Sequence, residues 1–298
     1  MKIASWNINS VRVRQERLIE WLRSSAPDVV CLQEIKALEA QFPSAAFREL
    51  GYESAVFGQK TYNGVAILSR FPMKDVGRGF LGDAPEGSSD TASPGETGTG
   101  PEARLLAATI GDLRIHSVYV PNGRTITSES YAHKLRWLGR LGEHLDRLER
   151  SQPLLLCGDF NVAPDERDLY NPGAFGQDVI FHQDVRNAYA RLLGRGLIDT
   201  FRLFQEAGGH FSWWDYRMLA FPKNRGLRID LILASADLAP RIAAAGIDRE
   251  ARKGKLPSDH APIWVEVAVD EKLAGARVVP VAAAPESAAE QLDLLPGK

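Results

Sequence analysis

Short apolar runs that each end in a polar group recur along the chain. The segments KIASWN, DVVCLQE, GVAILS, RIHSVYV, PLLLCGDFN, RIDLILA and APIWVEVAV are rich in β-branched residues, which favours strands. Between some of them, residues 14–24 and 130–148 carry apolar side chains at steps of three and four, which predicts two amphipathic helices. Because strands and helices interleave, we expect an α/β fold whose sheets bury at least one face under helices.

Two stretches break this pattern. Residues 82–101 are rich in Gly, Ser, Thr and Pro and almost lack large apolar groups, which predicts a flexible surface loop. After Val269, Ala, Pro and Glu dominate the sequence. We therefore expect one folded domain over residues 1–269, with the loop inside it, and a mostly disordered tail over residues 270–298.

Composition narrows the class of protein without naming it. The chain has 298 residues, of which 44% are hydrophobic and 25% charged, so wholesale disorder and a fibre are excluded. No apolar run reaches the ~18 residues of a membrane span. The net charge of −2 argues against a polybasic protein but allows a DNA enzyme with local basic patches. Cys31 and Cys157 lie in apolar runs, so buried free thiols are favoured over a disulfide; with no visible secretory signal, we expect a cytoplasmic protein.

Polar side chains gather where the predicted strands end. These residues are Asn7, Glu34, Tyr119, Asp159, Asn161, Asp230, Asp259 and His260. Strand ends of a packed α/β fold can converge on one rim, and a rim of carboxylates and amides suits a hard cation such as Mg²⁺. Cys ligands and His clusters are lacking, which disfavours a structural zinc site.

Each of these residues alone has an ordinary explanation. Glu34 could be a solvated strand end, and Asn7 and Asn161 could simply bond their own turns. The run Gly158-Asp159-Phe160-Asn161 is more specific, because two side chains at i and i+2 can flank one phosphate.

Asp230 is a charge inside an apolar strand, so it needs a buried partner. A histidine is the obvious candidate, and Arg228 is the alternative. Ser258-Asp259-His260 places a carboxylate beside an imidazole, although a surface loop would explain it as well.

Considered as a set, these motifs resemble a known family. Seven motifs resemble, in order, those of the exonuclease–endonuclease–phosphatase superfamily and, within it, of the exodeoxyribonuclease III family. They are WNINSVRVR, LQEIK, YNGVAILSR, YVPNG, GDFNVAP, NRGLRIDLILAS and SDHAP. The resemblance covers Met1 to about Val269. Where other branches usually carry a His, YVPNG holds Tyr119, as in abasic-site endonucleases. The resemblance implies a deoxyribonuclease I-like four-layer sandwich, with two facing mixed β-sheets flanked by helices.

The resemblance also implies an activity. It is Mg²⁺-dependent hydrolysis of DNA phosphodiesters 5′ to abasic sites, together with removal of nucleotides or blocking groups from 3′ ends; Mn²⁺ is expected to substitute. Asp159 would activate water, Asn161 would hold Asp159 and contact the phosphate, and Tyr119 would donate to the phosphate or leaving oxygen. Asp230 would orient His260, which would donate to a phosphate oxygen. The implied metal-binding residues are Asn7, Glu34, Asp159, Asn161, Asp259 and His260.

Residues near these motifs are candidates for DNA contact. They are Arg12, Arg124, Trp213, Lys223, Asn224, Arg225 and Leu227. The basic residues could instead form a solvated face, and Trp213 could be a core aromatic. By resemblance, Trp213 would form a wall of the pocket for a flipped-out abasic sugar. Leu227 stands where the family often has an aromatic residue, which puts packing on the sugar in doubt.

The tail contains one further motif. Gln291, Leu292, Leu294 and Leu295 resemble the bacterial sliding-clamp-binding pentapeptide, although an incidental leucine cluster is the alternative. We expect double-stranded DNA with abasic sites or damaged 3′ ends as substrate, no membrane association and a monomer. Two other functions stay open: a phosphoesterase for inositol phosphates or phospholipid headgroups, and a non-catalytic DNA-binding module.

Overall fold

The computed structural model describes residues 1–83, 102–149 and 151–269. The predicted loop over residues 82–101, apart from residues 82 and 83, lies outside the described residues. The predicted tail over residues 270–298 also lies outside them.

Twelve β-strands and four α-helices are present in the described residues. The strands are β1 (Lys2–Asn7), β2 (Val29–Gln33), β3 (Glu53–Phe57), β4 (Val65–Ser69), β5 (Lys74–Arg78), β6 (Leu105–Ile110), β7 (Leu113–Tyr119), β8 (Leu154–Asp159), β9 (Leu197–Asp199), β10 (Asp230–Ser235), β11 (Ile242–Ile247) and β12 (Ile263–Val267). The helices are α1 (Gln15–Ser25), α2 (Ser44–Arg48), α3 (Glu129–Asp146) and α4 (Gln183–Leu193). Both predicted amphipathic helices, now α1 and α3, are confirmed.

The strands form two six-stranded mixed sheets. The first has the order β11-β12-β1-β2-β4-β3 and the second β5-β6-β7-β8-β10-β9. Each sheet has one parallel pair, β1–β2 in the first and β7–β8 in the second, and its other pairs are antiparallel. A helix connects the two strands of each parallel pair, as a parallel connection requires.

Three apolar clusters hold the layers together. One fills the space between the sheets and includes Cys31 of β2 and Cys157 of β8. A second joins the outer face of the first sheet to α1 and α2, and a third joins the outer face of the second sheet to α3 and α4. The four-layer sandwich is therefore confirmed. Both cysteines are free and buried, as expected, and no helix among the described residues is long and apolar enough to cross a membrane.

The topology explains where the polar residues meet. Asn7 and Tyr119 end β1 and β7, Glu34 directly follows β2, and Asp159 ends β8. These are the carboxyl ends of the two parallel pairs, and such ends lie along one edge of a sheet. Asp230 begins β10 opposite Asp159 in the antiparallel register. Packing the two sheets face to face brings these residues to one rim.

Candidate active site

Asn7 joins two carboxylates that come from different sheets. Its side chain is buried, and its Nδ2 donates to Glu34 Oε1 and Asp159 Oδ2, both at 2.9 Å. Its Oδ1 accepts from the backbone N–H of Asn9 at 3.1 Å. Asn7 therefore holds Glu34 and Asp159 side by side. Direct contact of Asn7 with a metal stays a prediction.

Glu34 is the more accessible of the two carboxylates. Its side chain is 18% exposed, and Lys36 Nζ lies 2.8 Å from its Oε2. Burial acts to raise the pKa of Glu34, but the charge of Lys36 and hydrogen bonds from Asn7 and Lys36 outweigh it and lower that pKa. Glu34 is therefore ionised at neutral pH and is available to a cation.

Tyr119 lies against the same carboxylate. Its hydroxyl donates to Glu34 Oε1 at 2.9 Å, and the guanidinium of Arg104 lies over its ring at 4.7 Å. Burial raises the pKa of Tyr119 well above its usual value, and the charge of Glu34 adds to that shift. The hydroxyl therefore keeps its proton and can act as a hydrogen-bond donor at the rim.

Asp159 is held by the turn that follows β8. The backbone N–H of Asn161 donates to Asp159 Oδ1 at 2.9 Å, so the expected role of Asn161 in holding Asp159 has a direct contact behind it. The side chain of Asn161 is itself engaged, because its Nδ2 donates to Val120 O at 3.0 Å and its Oδ1 accepts from Asn122 at 3.1 Å. The expected contacts of Asn161 with a phosphate or a metal stay predictions.

His260 is the partner of Asp230. Its Nδ1 lies 2.9 Å from Asp230 Oδ2, while its Nε2 faces Asp159 Oδ2 at 3.8 Å. Ser212 Oγ donates to Asp230 Oδ2 at 2.6 Å and so fixes that carboxylate. Arg228, the alternative partner for Asp230, instead pairs with Asp168 and Asp199. Of the two alternatives, histidine pairing is therefore the one that the structure contains.

The charge of His260 follows from its neighbours. Burial acts to lower the pKa of the ring, but the negative charges of Asp230 and Asp159 outweigh burial and raise it. Burial raises the pKa of the Asp159 carboxyl, and the charge of His260 opposes that shift. The proton accordingly lies on His260, between two carboxylates, where it can be donated to an anionic oxygen.

Asp259 is directed toward other partners. Its Oδ1 accepts from Asn9 Nδ2 at 2.9 Å and its Oδ2 from Trp213 Nε1 at 3.0 Å. Burial acts to raise the pKa of Asp259, but His260, Asn9 and Trp213 together lower it. Asp259 thus orients the indole of Trp213, and its expected metal contact stays a prediction.

Three of the rim residues could hold a metal ion. Glu34, Asp159 and His260 offer ligand atoms that all lie within 4.8 Å of one another. The two carboxylates suit a hard divalent cation. Protonated on both ring nitrogens, His260 has no lone pair for a metal, so this charge state favours hydrogen-bond donation. The donor set therefore fits an oxygen-bound cation better than zinc.

Most candidate DNA contacts are at the surface. Arg12, Arg124, Lys223, Asn224 and Arg225 are all exposed.

Trp213 and Leu227 lie next to the rim. Trp213 is half-buried, and its backbone forms antiparallel bridges with both His260 and Leu227. The Leu227 side chain is only 1% exposed and packs in an apolar cluster with Leu169 and Phe181. Its burial does not fit the expected contact with a sugar, because a core side chain cannot reach a ligand without repacking. Leu227 instead supports Trp213 through paired backbones.

Several residues of the site escaped the sequence interpretation. Lys36, Asn122 and Ser212 each hold a predicted site residue through a hydrogen bond or ion pair. Lys36 belongs to the LQEIK motif and Asn122 to the YVPNG motif, so these two motifs could have indicated a role at the site. Ser212 had no signal, because a serine in a loop is ordinary.

The chain is similar to known proteins over most of its length. The sequence profile described as Endonuclease/Exonuclease/phosphatase family matches residues 4–260. The chain belongs to this family. The exodeoxyribonuclease III of Haemophilus influenzae is 35% identical over 283 residues, which cover 89% of this chain and 99% of that protein. Members of the exodeoxyribonuclease III group are phosphodiester hydrolases, and this chain is an enzyme of that class.

Solved structures of this family share the fold. An AP endonuclease from Archaeoglobus fulgidus is 35% identical with a TM-score of 0.82, over 90% of this chain and 100% of that one. A 3′ phosphatase from Neisseria, bound to a product DNA hairpin, is 36% identical with a TM-score of 0.82 over the same shares.

Proposed function

We propose that this protein is a Mg²⁺-dependent DNA-repair nuclease. It hydrolyses phosphodiesters 5′ to abasic sites and removes nucleotides or blocking groups from DNA 3′ ends. One observation carries the proposal: Asn7 joins Glu34 and Asp159 next to an Asp230–His260 pair at the rim. The relatives named as exodeoxyribonuclease III, AP endonuclease and 3′ phosphatase support the substrate class.

Asp159 is the group that activates water. Its raised pKa makes it a stronger base than an exposed aspartate, and the Asn7 amide and the Asn161 N–H fix its two oxygens. A water bonded to Asp159 can lose its proton as it attacks the phosphorus. Holding this water in line with the scissile bond is the main contribution of such a fixed carboxylate.

His260 and Tyr119 act on the phosphate. The protonated ring of His260, oriented by Asp230, donates from Nε2 to a non-bridging oxygen, where negative charge develops. Tyr119, whose hydroxyl keeps its proton, donates to the phosphate or to the leaving oxygen. His260 is buried and Tyr119 is partly buried, and a hydrogen bond holds each of them, so they need little reorganisation during the reaction.

Glu34 and Asp159, supported by Asn7, are the residues that would hold Mg²⁺, or Mn²⁺ in its place. When bound, such a cation supplies Lewis-acid stabilisation of the charge on the phosphate oxygens. Direct coordination by Asn7, Asn161 or Asp259 is part of the same proposal, and each contact can be tested by its own substitution. Direct coordination by His260 would require its Nε2 to lose the proton that the ring donates in this proposal.

DNA would bind across the exposed loops at the rim. Arg12, Arg124, Lys223 and Arg225 offer cations for backbone phosphates, and such contacts make binding salt-dependent. Trp213, oriented by Asp259, would form a wall of the pocket for a flipped-out abasic sugar. Asn224 ties its own loop, since its side chain bonds Trp214 and Gly209.

The test is a cleavage assay on matched duplexes. A 5′-labelled duplex with one synthetic abasic site is incubated with the protein and either Mg²⁺ or EDTA. Controls are the undamaged duplex and the isosteric Asp159→Asn variant. We expect a Mg²⁺-dependent nick 5′ to the abasic site that leaves a 3′-hydroxyl. A recessed duplex and a 3′-phosphate hairpin measure the end-processing activities.

Two other outcomes would contradict the proposal. Release of phosphate only from soluble inositol phosphates or phospholipid headgroups would make the protein a headgroup phosphoesterase. A gel shift of the abasic duplex without cleavage, in Mg²⁺ or Mn²⁺, would make it a DNA-binding module.

We also infer that the tail binds a bacterial sliding clamp. Gln291, Leu292, Leu294 and Leu295 combine a directional hydrogen-bonding group with apolar anchors, which suits a short docking peptide. A tether of this kind would raise the local concentration of nuclease on DNA. Calorimetry should give micromolar binding of a peptide over residues 288–298, lost in the Gln291→Ala, Leu294→Ala double variant. Equal clamp binding by the full chain and a chain ending at Val269 would contradict the inference.

The proposal includes location and assembly. The buried free thiols Cys31 and Cys157 suit the reducing cytoplasm, where the substrate DNA of a bacterial relative also lies. We propose that residues 1–269 form the catalytic domain and act as a monomer. Sedimentation of the full chain tests the oligomeric state.

A further inference from the structure

A buried lysine lies below the rim and contacts it only through backbone oxygens. Lys134 belongs to the inward-facing stripe of α3, together with Tyr131, Leu138 and Leu141, and its exposed fraction is 0%. Burial of an ammonium group costs free energy unless all its hydrogen bonds are satisfied. No ion pair of Lys134 is found within the described residues. Its partners are backbone carbonyls.

The three N–H groups of Lys134 bond three different segments. Nζ donates to Asn122 O at 3.0 Å, to Asn161 O at 2.6 Å and to Val179 O at 2.8 Å. Asn122 lies in the loop after β7, Asn161 in the turn after β8, and Val179 just before α4. The ammonium thus joins the two turns that follow the parallel strands of the second sheet.

The bond to Asn161 fixes an unusual backbone conformation. Asn161 has φ +49°, in the left-handed region that costs a side-chain-bearing residue roughly 1 kcal/mol. Its N–H donates to Asp159 and its C=O accepts from Lys134, so both peptide groups beside its Cα are oriented. Lys134 therefore holds the conformation that aims an N–H at the Asp159 carboxylate.

The bond to Asn122 extends the same control to the neighbouring loop. The side chain of Asn122 donates to Asn161 Oδ1 and accepts from the backbone N–H of Arg124. Between them, Gly123 has φ +98°, and a Cβ there would lie 3.1 Å from Lys134 Cδ. The glycine lets the lysine stem pass directly under the loop that carries Arg124.

We propose that Lys134 is a positioning residue for the reaction. It sets the loop after β7 against the turn after β8, and through the Asn161 N–H it fixes Oδ1 of Asp159, one of the two oxygens of the proposed base. The role in catalysis rests on the proposed function, whereas the positioning of the two turns does not. Lys134 itself contacts neither substrate nor metal.

The test compares Lys134→Met with a control on the same helix face. Methionine keeps much of the side-chain length and removes all three donors. Leu141→Ala is the matched control, because Leu141 is equally buried in the apolar stripe and its side chain forms no hydrogen bond. Both changes should lower the melting temperature. For Lys134→Met we expect the single-turnover rate on abasic duplex to fall ~10- to 100-fold, as small misplacements can do. The DNA Kd should change less than about threefold, since Lys134 does not reach the surface.

Hydrogen exchange provides a readout that does not need activity. The N–H groups of Asn161 and Arg124 should exchange at least about tenfold faster in Lys134→Met than in wild type. In Leu141→Ala they should keep wild-type protection at a temperature where both variants are folded. If the wild type does not cut abasic DNA, the proposed function fails, and this measurement still decides the role of Lys134.

Three results would overturn the role of Lys134. They are wild-type exchange of both N–H groups in folded Lys134→Met, a wild-type cleavage rate in that variant, and an equal loss of rate in Leu141→Ala. If Lys134→Met does not fold, the same measurements are made on Lys134→Gln, whose amide keeps two donors. The exchange rates of the two N–H groups in this variant should lie between those of wild type and those expected for Lys134→Met.

Discussion

Two buried histidine sites in this molecule differ in charge: one ring is protonated and the other two are neutral. At the rim, His260 lies between Asp230 and Asp159, and its pKa is raised. On the outer face of the second sheet, His116 and His144 bring their Nε2 atoms to 3.3 Å. Burial lowers the pKa of His116 well below its usual value and that of His144 to about 4.

The contrast shows that neighbours, rather than burial, decide whether an imidazole is charged. His116 and Tyr119 belong to the same strand, yet His116 faces the helix layer while Tyr119 faces the seam between the sheets. Within the described residues, neither ring of the interior pair has a carboxylate as a hydrogen-bond partner. At the rim, by contrast, Asp230 and Asp159 flank His260 and keep its ring protonated. One face of β7 therefore contributes to packing, and the other face, through Tyr119, contributes to the rim.

The largest expected effect comes from removing the base at the rim. Asp159→Asn keeps the shape of the side chain but loses the negative charge and the proton acceptor. The single-turnover cleavage rate should fall ~10² to 10³-fold or more, while binding of abasic duplex largely survives. Near-wild-type cleavage would contradict the role of Asp159 as the base.

Asp230→Asn should make the rim histidine more like the interior pair. Loss of the nearest negative charge lowers the pKa of His260, so a smaller fraction of the ring is protonated at a given pH. We expect a cleavage rate lowered by roughly 10²-fold. Activity that needs the protonated ring is lost as pH rises through its pKa, so the alkaline limb of the pH–rate profile should move to lower pH. An unchanged limb would show that the ring does not act as a donor.

Glu34→Gln tests the carboxylate that is ionised at neutral pH and is expected to bind Mg²⁺. A neutral amide oxygen binds a hard cation less well, so the Mg²⁺ concentration for half-maximal activity should rise ~10-fold. Glu143→Gln, an exposed change on α3, is the control and should leave the titration as it is. The same Mg²⁺ titration in Glu34→Gln and wild type would exclude Glu34 as a metal ligand.

The smallest effect concerns the interior pair. Both histidines have a pKa below the unfolded value of ~6.5. The unfolded chain therefore binds more protons in this range, and stability falls as pH drops below that value. Between pH 7 and 5.5 we expect a loss of about 1 kcal/mol per histidine. Thermal unfolding at several pH values measures this loss of stability. If a His116→Leu, His144→Phe double variant keeps the wild-type pH dependence, the two histidines are not its cause.

Much of the fold could be predicted because central strands are buried on both faces. Seven apolar runs of the sequence correspond to β1, β2, β4, β7, β8, β10 and β12. Four of the missed strands, β3, β5, β9 and β11, are sheet edges. β5, for example, is mostly exposed and reads KDVGR, because an edge strand needs no continuous apolar run. The fifth, β6, reads LLAATI, which suits a strand or a buried helix equally.

The site was predictable to the extent that its residues end strands. All eight predicted polar residues lie at the rim or bond to it, because strand ends mark the edge of a sheet. Lys134 was not predictable, since a lysine at a helical step reads as solvent-facing until the packing of α3 is known. The burial of Leu227 was not predictable for the opposite reason: its proximity to a motif in sequence gave no information on the direction of its side chain, and its contact with DNA stays a prediction.

The pairing of β1 with β12 has a consequence for synthesis of the protein. The first strand lies between β12 and β2, and Met1 bonds to Val267. A chain that is still being made lacks β12 and His260 until nearly all of the domain has left the ribosome. Neither half of the rim can work alone, because Glu34 comes from one sheet and Asp159 from the other. A nascent chain that ends before His260 therefore lacks the proposed proton donor of the rim, and we expect it to cut DNA only after the whole domain has been translated.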